Sequence, residues 1–492
     1  MKKKNYLYTL PLAVFLLLFP FVITARSLEA KLRPAYLRVV MPDAKPSDTL
    51  RVLIYSNVLS NITDANKQHE EQFATLKNGE FDFLIDPFNK PAYFSLCKKE
   101  GIGAGTRYLD MLTLYLIEPG DSVTVHILKD TTYIPSDHMV NSNTLGRLPE
   151  MEVFGTKYIK QYTHIFEGRG SAKFAFREEL DRIVQNERLT TDQKKVLGLD
   201  LISSLKIMLT FNASELLKAD LIGQIEILKL RTGIIEKDFQ ETAIPASRDS
   251  IRPEIIAISK YYPLFLIERY MSLNVLNKED KSEIYSQILT DYTDGNARDK
   301  LITLYLLRNA SSVSPEIMED AIMRVQTPYL AREVQELYGA LSKGSVAYNF
   351  SLQDMEGKTV KLSDFKGKVV MMDFWFSGCG ACKKYFTNML SSVEEHFKDR
   401  RDVVFISVSI DRSKAVWLKS LDSKMYTSDH AINLYTGGRG TKDPVIAHYK
   451  VSSCPWTLLI DKNGKIFSNR YSDLRTGGIE RLKNVIESAV AM

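Results

Sequence analysis

The chain has little cysteine: Cys97, Cys379, Cys382 and Cys454 are the four in 492 residues. So few cannot build a disulfide scaffold, and a chain of this length can fold on its hydrophobic core. It also lacks an excess of either charge. The formal net charge is +5, and most of it comes from Lys2, Lys3, Lys4 and Arg26. The nearly neutral remainder gives no electrostatic case for binding nucleic acid. No segment recurs at a fixed period, so a solenoid is not indicated. No second C-x-x-C and no His pair accompanies the two closely spaced cysteines, which argues against structural zinc.

What is present is ordinary globular composition, 45% apolar and 25% charged, over a length that suits two to four domains. Residues 1–26 form a leader. Lys2 to Lys4 give a basic start, LPLAVFLLLFPFVIT (10–24) an apolar core, and ITA ending at Ala25 a cleavage site. This reads as an export signal or, if uncleaved, a membrane anchor through residues 7–25. No Cys follows the apolar run, so a lipid-modified N-terminal cysteine is not expected.

Residues 29–150 read as a β-rich, β-sandwich-like domain. LRVVM (37–41) and TLRVLIYS (49–56) are β-branched runs. Period-2 apolar positions flank Asn78-Gly79 and Pro119-Gly120-Asp121, which predicts a hairpin at each. Cys97 follows PAYFSL and reads as a buried strand thiol. Residues 151–343 read as α-helical. Thr190 with Gln193 resembles a capping box, and Asn277 before Glu279 and Asp280 suggests a helix start. Ser314-Pro315-Glu316 suggests another start. LGLDLISSLKIMLTF and AREVQELYGAL carry helical spacing. SKGSVAY (342–348) reads as a linker to an α/β domain over 345–492.

That last domain carries the chemistry. KVVMMDFWF (368–376) is a near-continuous apolar run, as expected of a central strand covered on both faces. Cys379-Gly-Ala-Cys382 follows at the strand–helix junction, and the helix shows Phe386, Leu390, Val393 and Phe397 on one stripe. DVVFISVSI (402–410) is a second buried strand. FSLQDMEGKTVKL turns at Glu356-Gly357, and WTLLIDKNGKIFSNR at Asn463-Gly464. A thiol at a helix N-terminus is biased toward thiolate. Cys379 then attacks a substrate disulfide, and the more enclosed Cys382 resolves the mixed disulfide. A purely structural disulfide here would close a trivially small loop. Asp373, six positions before Cys379 and among apolar neighbours, would have a raised pKa and could relay protons to Cys382. Pro455, immediately before a strand, could adopt a cis bond that leaves the residue 454 backbone open to an incoming peptide.

These motifs, from NFSLQDMEGKTVKLSDFKGKVVMMDFW through CGAC and VVFISVSID to VSSCPWTLLIDKNGKI, resemble the TlpA/ResA-like thiol–disulfide oxidoreductases of the thioredoxin fold. The resemblance covers residues 345–492. The upstream regions are more weakly similar to the N-terminal extensions of exported thioredoxin-like proteins of Bacteroidetes-type bacteria. The resemblance implies Cys379 as nucleophile, Cys382 as resolving thiol, Asp373 as the buried acid and Pro455 as the cis-proline, with Trp375 and Gly378 beside the motif. It implies no cofactor or metal and a periplasmic or cell-envelope setting. Partners would be envelope protein thiols and disulfides, cytochrome c maturation substrates among them, and an upstream donor such as a membrane thiol reductase.

Three departures stand out. Gly378 replaces a usual Trp, which would open the rim. The helix after Cys382 lacks a mid-helix Pro, which would leave it straighter. Cys454 lies against the pair if Pro455 is cis; it is then either an inert buried thiol or a third reactive one. Two alternatives accompany the redox reading. One is thiol peroxidase, though Phe376 stands where a Thr or Ser would be needed. The other is a partner-binding envelope protein with a secondary redox domain.

Overall fold

The structure, a computed structural model, describes residues 34–55, 58–59, 69–85, 91–100, 107–129, 162–178 without 176, 214–232, and 251–492 without 278, 279, 294, 311 and 452. The leader, the capping box at Thr190 and Gln193, and the run LGLDLISSLKIMLTF lie outside them. Among the described residues no helix is long and apolar enough to cross a membrane.

The first strands are β1 (Ala35–Val40), β2 (Thr49–Tyr55), β3 (Glu70–Thr75), β4 (Glu80–Ile85), β5 (Ala92–Glu100), β6 (Arg107–Ile117), β7 (Ser122–Lys129) and β8 (Tyr162–Arg169). They form two sheets, ordered β4-β1-β7-β8 and β3-β2-β5-β6. Alternation sends Ala35, Leu37 and Val39 of β1 inward, where they share one core with Leu50, Val52, Phe94 and Leu96 of the other sheet. β8 lies beyond residue 150, where sequence texture ends the β-rich region; its pairing with β7 carries the sheet to residue 169.

The turns at Asn78-Gly79 and Pro119-Gly120-Asp121 form, with φ of 52° at Asn78 and 84° at both Gly79 and Gly120. At Asn78-Gly79 the hairpin is closed by a single antiparallel pair, Lys77 with Glu80, and at Pro119-Gly120-Asp121 the flanking strands do not pair. β3 pairs with β2 while β4 pairs with β1, and β6 pairs with β5 while β7 pairs with β1 and β8. At each turn the chain crosses from one sheet to the other. Each strand has one apolar face, and setting two such faces against each other across the layers buries both.

The outer face of the β3-β2-β5-β6 sheet is buried as well. Tyr93, Leu114 and Leu116 pack on Leu216 and Leu217 of α1 (Glu215–Thr232) and on Ile255 and Ile258 of α2 (Pro253–Ile258). The junction has a polar centre. Asp220 of α1 accepts from the Tyr93 hydroxyl (2.7 Å), the Ser259 hydroxyl (2.6 Å) and the N–H groups of Lys260 (3.1 Å) and Tyr261 (3.3 Å).

Further helices follow: α3 (Tyr262–Asn277), α4 (Ser282–Asp291), α5 (Gly295–Asn309), α6 (Pro315–Arg324) and α7 (Pro328–Leu341). α5 is buried along most of its length. Its Lys300 donates to the carbonyls of Ala257 (2.8 Å) and Ser259 (2.6 Å). Asn277 closes α3 instead of starting a helix. α4 starts after Lys281, and the carboxylate of Asp280, one residue before, accepts from the Ser282 N–H at 2.8 Å. Ser314 caps α6, its hydroxyl accepting from the Ile317 N–H at 3.4 Å.

The connector 342–348 is hydrogen-bonded in place, not a loose linker. Gly344 and Ala347 donate to the carbonyls of Ile466 and Gly464, and Ile466 donates to that of Ser345. The remaining strands are β9 (Ser351–Gln353), β10 (Thr359–Lys361), β11 (Val369–Trp375), β12 (Val403–Ser409), β13 (Ile432–Tyr435), β14 (Trp456–Ile460) and β15 (Ile466–Ser468). They form one sheet ordered β10-β9-β13-β12-β11-β14-β15. β11 is buried at every position, parallel to β12 and antiparallel to β14. One face of the sheet is covered by α8 (Gly380–Tyr385), α9 (Ser391–Phe397) and α12 (Gly478–Val490). The other is covered by α10 (Lys414–Asp422) and α11 (Pro444–His448), and its core runs on into α3 to α7.

The helix after Cys382 is not the straight α-helix expected from its missing proline. A π-helical turn over Phe386–Leu390 separates α8 from α9. The wider turn supplies the local irregularity that a proline would otherwise impose.

Candidate redox site

The site is built where β11 ends and α8 begins. Cys379 and Cys382 are joined by a disulfide with their Cα atoms 5.2 Å apart. Cys379 is the N-cap of α8, and its sulfur accepts from the Cys382 N–H at 3.0 Å. This is the arrangement that stabilises negative charge on a sulfur at a helix start. As whole residues Cys379 and Cys382 are equally enclosed in this oxidised state, each 3% exposed.

The turn that presents Cys379 is held from below. Gly378 has φ 90°, a conformation that disfavours any side chain, so glycine here serves the backbone as well as removing an indole from the rim. Its N–H donates to the Tyr426 hydroxyl at 3.0 Å. The Tyr426 ring stacks on Trp375, centroids 4.9 Å apart and planes at 5°. Trp375 is buried, and its Nε1 donates to the Ser407 hydroxyl at 2.7 Å. Next to Gly378, Ser377 donates its N–H (2.9 Å) and its hydroxyl (2.6 Å) to the Asp411 carboxylate, which also accepts from Ser409 at 2.9 Å. Burial raises the pKa of Asp411 despite these donors.

The Cys454–Pro455 peptide bond is cis, and the Cys454 carbonyl oxygen lies 3.8 Å from the Cys379 sulfur. Arg475, from the π-helical turn Ser472–Thr476, donates to the Pro455 carbonyl. Cys454 is half-buried; desolvation pushes its thiol up and the field of Asp373 adds to it, which favours the protonated form. Cys97 lies in the upstream sheet, buried, its thiol donating to Asp110 at 3.4 Å and pushed up to about 12 by burial. It takes no part in the site.

Asp373 sits in the middle of β11, buried, with its proton held far above the usual carboxylate range. Burial is the main cause and the charge of Glu394 the second; the Ser407 hydroxyl works the other way. Glu394, on α9, is itself buried and pushed up to about 7 by burial.

The structure thus brings Asp373, Trp375, Gly378, Cys379, Cys382, Cys454 and Pro455 together. Sequence reasoning missed Glu394, Asp411, Tyr426 and Arg475. No short motif links them to the cysteines, and only the pairing of distant segments sets them there.

The thioredoxin-like family profile matches residues 367–466. Over 127 residues the chain is 36% identical to the thiol-disulfide oxidoreductase ResA of Bacillus subtilis, which covers 26% of this chain and 66% of that protein. The stretch aligned thus spans just under two thirds of that relative's length. Over 129 residues it is 30% identical to ResA of Geobacillus thermodenitrificans, covering 26% of this chain and 68% of that protein. Among solved structures, the thioredoxin domain of a thiol-disulfide oxidoreductase from Bacteroides vulgatus is 32% identical. It covers 31% of this chain and 99% of that one, with a TM-score of 0.26.

Proposed function

Because the chain belongs, through its C-terminal part, to the thioredoxin-like thiol–disulfide oxidoreductases of the ResA type, we propose that it exchanges disulfides with protein substrates through Cys379 and Cys382. The observation that carries this reading is the Cys379–Cys382 disulfide at the N-terminus of α8, with the Cys454–Pro455 loop beside it and Asp373 buried beneath. In the reducing direction, the Cys379 thiolate attacks a substrate disulfide and expels one substrate thiolate. Cys382 then loses its proton, attacks the Cys379 sulfur and expels the second. Starting from the Cys379 thiolate and the Cys382 thiol, the enzyme gives up two electrons and one proton and ends as the disulfide.

The leader supports an envelope setting, in which the substrates are exported proteins and the electrons come from a membrane thiol reductase. Two ion pairs support a recognition role for the upstream regions. Lys442, in the loop after β13, binds Asp110 of β6 at 3.0 Å. Lys450 binds Glu333 of α7 at 3.1 Å. Both tie upstream elements to the redox domain.

The test is disulfide reduction of insulin by the full chain. Cys379→Ser abolishes it, and Cys382→Ser accumulates mixed disulfides that are visible by mass spectrometry. Retained activity in the first variant sinks the mechanism.

A further inference from the structure

The four central strands beneath the redox pair are mostly apolar; besides Ser409 at the end of β12, their polar residues lie along one line. Asp373 on β11 is in register with Ser407 on β12 and with Thr457 on β14, and Ser407 is in register with Asn433 on β13. Four polar residues therefore cross four adjacent central strands in a single row. Alternation puts them on one face. Val369 and Met371 of β11, Phe405 of β12 and Leu459 of β14 belong to the core under α8, α9 and α12, and residues two along from them point the same way. That face is also the one from which Glu394 descends, since Val393 and Phe397 of the same helix sit in the same core.

The row is under-satisfied. Thr457 Oγ1, Asn433 Oδ1 and Glu394 Oε1 are buried atoms with no hydrogen-bond partner. The other Glu394 oxygen accepts from the Ser428 hydroxyl at 2.6 Å, in the loop that leads into β13. A native interior normally pairs its buried polar atoms, so unmatched ones next to two carboxyls call for a chemical explanation. Two buried carboxyls within each other's field do not both ionise readily, and they titrate as a unit.

We infer that Glu394 is a positioning residue of the redox site, passing protons between Asp373 and the Ser428 edge of the sheet. The inference rests on the redox reading above. When Cys382 resolves a mixed disulfide, its proton goes to the Asp373 carboxylate. The freed thiolate forms the bond to the Cys379 sulfur as the substrate thiolate leaves, and the proton on Asp373 moves on to Glu394 and out past Ser428. No oxidant is needed beyond the substrate disulfide. The groups facing Asp373 and Glu394 from the other packed elements are Tyr385 of α8, Arg475 of the second π-helical turn and Cys454 of the cis-proline loop, and all three feel one or both of the carboxyls or each other.

Stopped-flow reaction of the reduced full chain with a chromogenic aryl disulfide separates the two steps. Attack by Cys379 releases one aryl thiolate, and resolution by Cys382 releases the second. Glu394→Gln leaves the first phase unchanged and slows the second about tenfold near neutral pH. The acid limb of its pH profile moves to lower pH, because glutamine carries no charge to hold the proton on Asp373. In an Asp373→Asn background the same substitution adds nothing. Ser428→Ala, a milder change, slows the second phase about threefold and guards against a folding defect in the first variant. A second phase that superimposes on that of the parent at every pH, or an equal effect in the Asp373→Asn background, overturns the relay. Absence of both phases in the parent chain instead overturns the redox reading itself.

Discussion

Asp220 and Asp373 are both buried carboxyls in one chain, at 2% and 6% exposure, and both have a raised pKa with burial as the first cause. Their surroundings differ. Asp220 accepts from two hydroxyls and two backbone N–H groups, and the positive charges of Lys260 and Lys300 work against its desolvation. Asp373 has one hydroxyl, from Ser407, its own backbone N–H, and a second carboxyl, Glu394, that makes its ionisation harder. The first carboxyl is satisfied and joins the β-rich region to the helices. The second holds its proton tightly, beside a pair of cysteines that, on the redox reading, lose and gain one. Completeness of the hydrogen-bond shell separates a carboxyl that holds a fold together from one that is available for chemistry.

The comparison can be broken most severely at Asp220. Asp220→Ala leaves four donors and the nearby ammonium charges buried without their acceptor, and should cost about 3–5 kcal/mol. Urea unfolding of the full chain measures this, while the reduction potential of Cys379–Cys382 stays unchanged. A loss below about 1 kcal/mol would remove the distinction drawn here.

A smaller effect is expected at Lys300, lowered to about 7 from 10.5 by burial. Because the folded value is the lower one, the unfolded chain binds more protons between pH 7 and 10.5, so this residue makes stability rise with pH across that window. Lys300→Met removes the rise and also leaves the Ala257 and Ser259 carbonyls unmet, a loss of about 1–3 kcal/mol. Thermal melts at a series of pH values read both.

The smallest change sharpens the other side of the comparison. Tyr426→Phe keeps the stack on Trp375 but removes the acceptor for the Gly378 N–H. It should cost about 1 kcal/mol and slow attack by Cys379 without moving the pH profile of resolution.

The legible parts of the molecule were those in which neighbouring residues decide. The apolar run at 369–375, the strand–helix junction at Cys379 and the turns at Gly357 and Gly464 could all be read locally. At Asn78-Gly79 and Pro119-Gly120-Asp121 the turn was legible and the pairing was not. Turn chemistry reports that the chain reverses, but not which sheet receives it. Asn277 misled for a related reason, since Asn suits both ends of a helix. Glu394 was invisible because SSVEEHF places two acids side by side, and only packing decides that Glu394 turns inward while Glu395 pairs at the surface with Lys398 and His430. The polar row Asn433–Ser407–Asp373–Thr457 exists only once register is set.

The hydrogen-bonded connector at 342–348 has a mechanical consequence. With its backbone laced to the hairpin of β14 and β15, and with Lys450 braced on α7, the redox domain is tied to its helical neighbour at more than the one point where the chain passes between them. If the redox reading holds, these ties give Cys379 a set direction relative to α7, and the orientational search falls to the substrate.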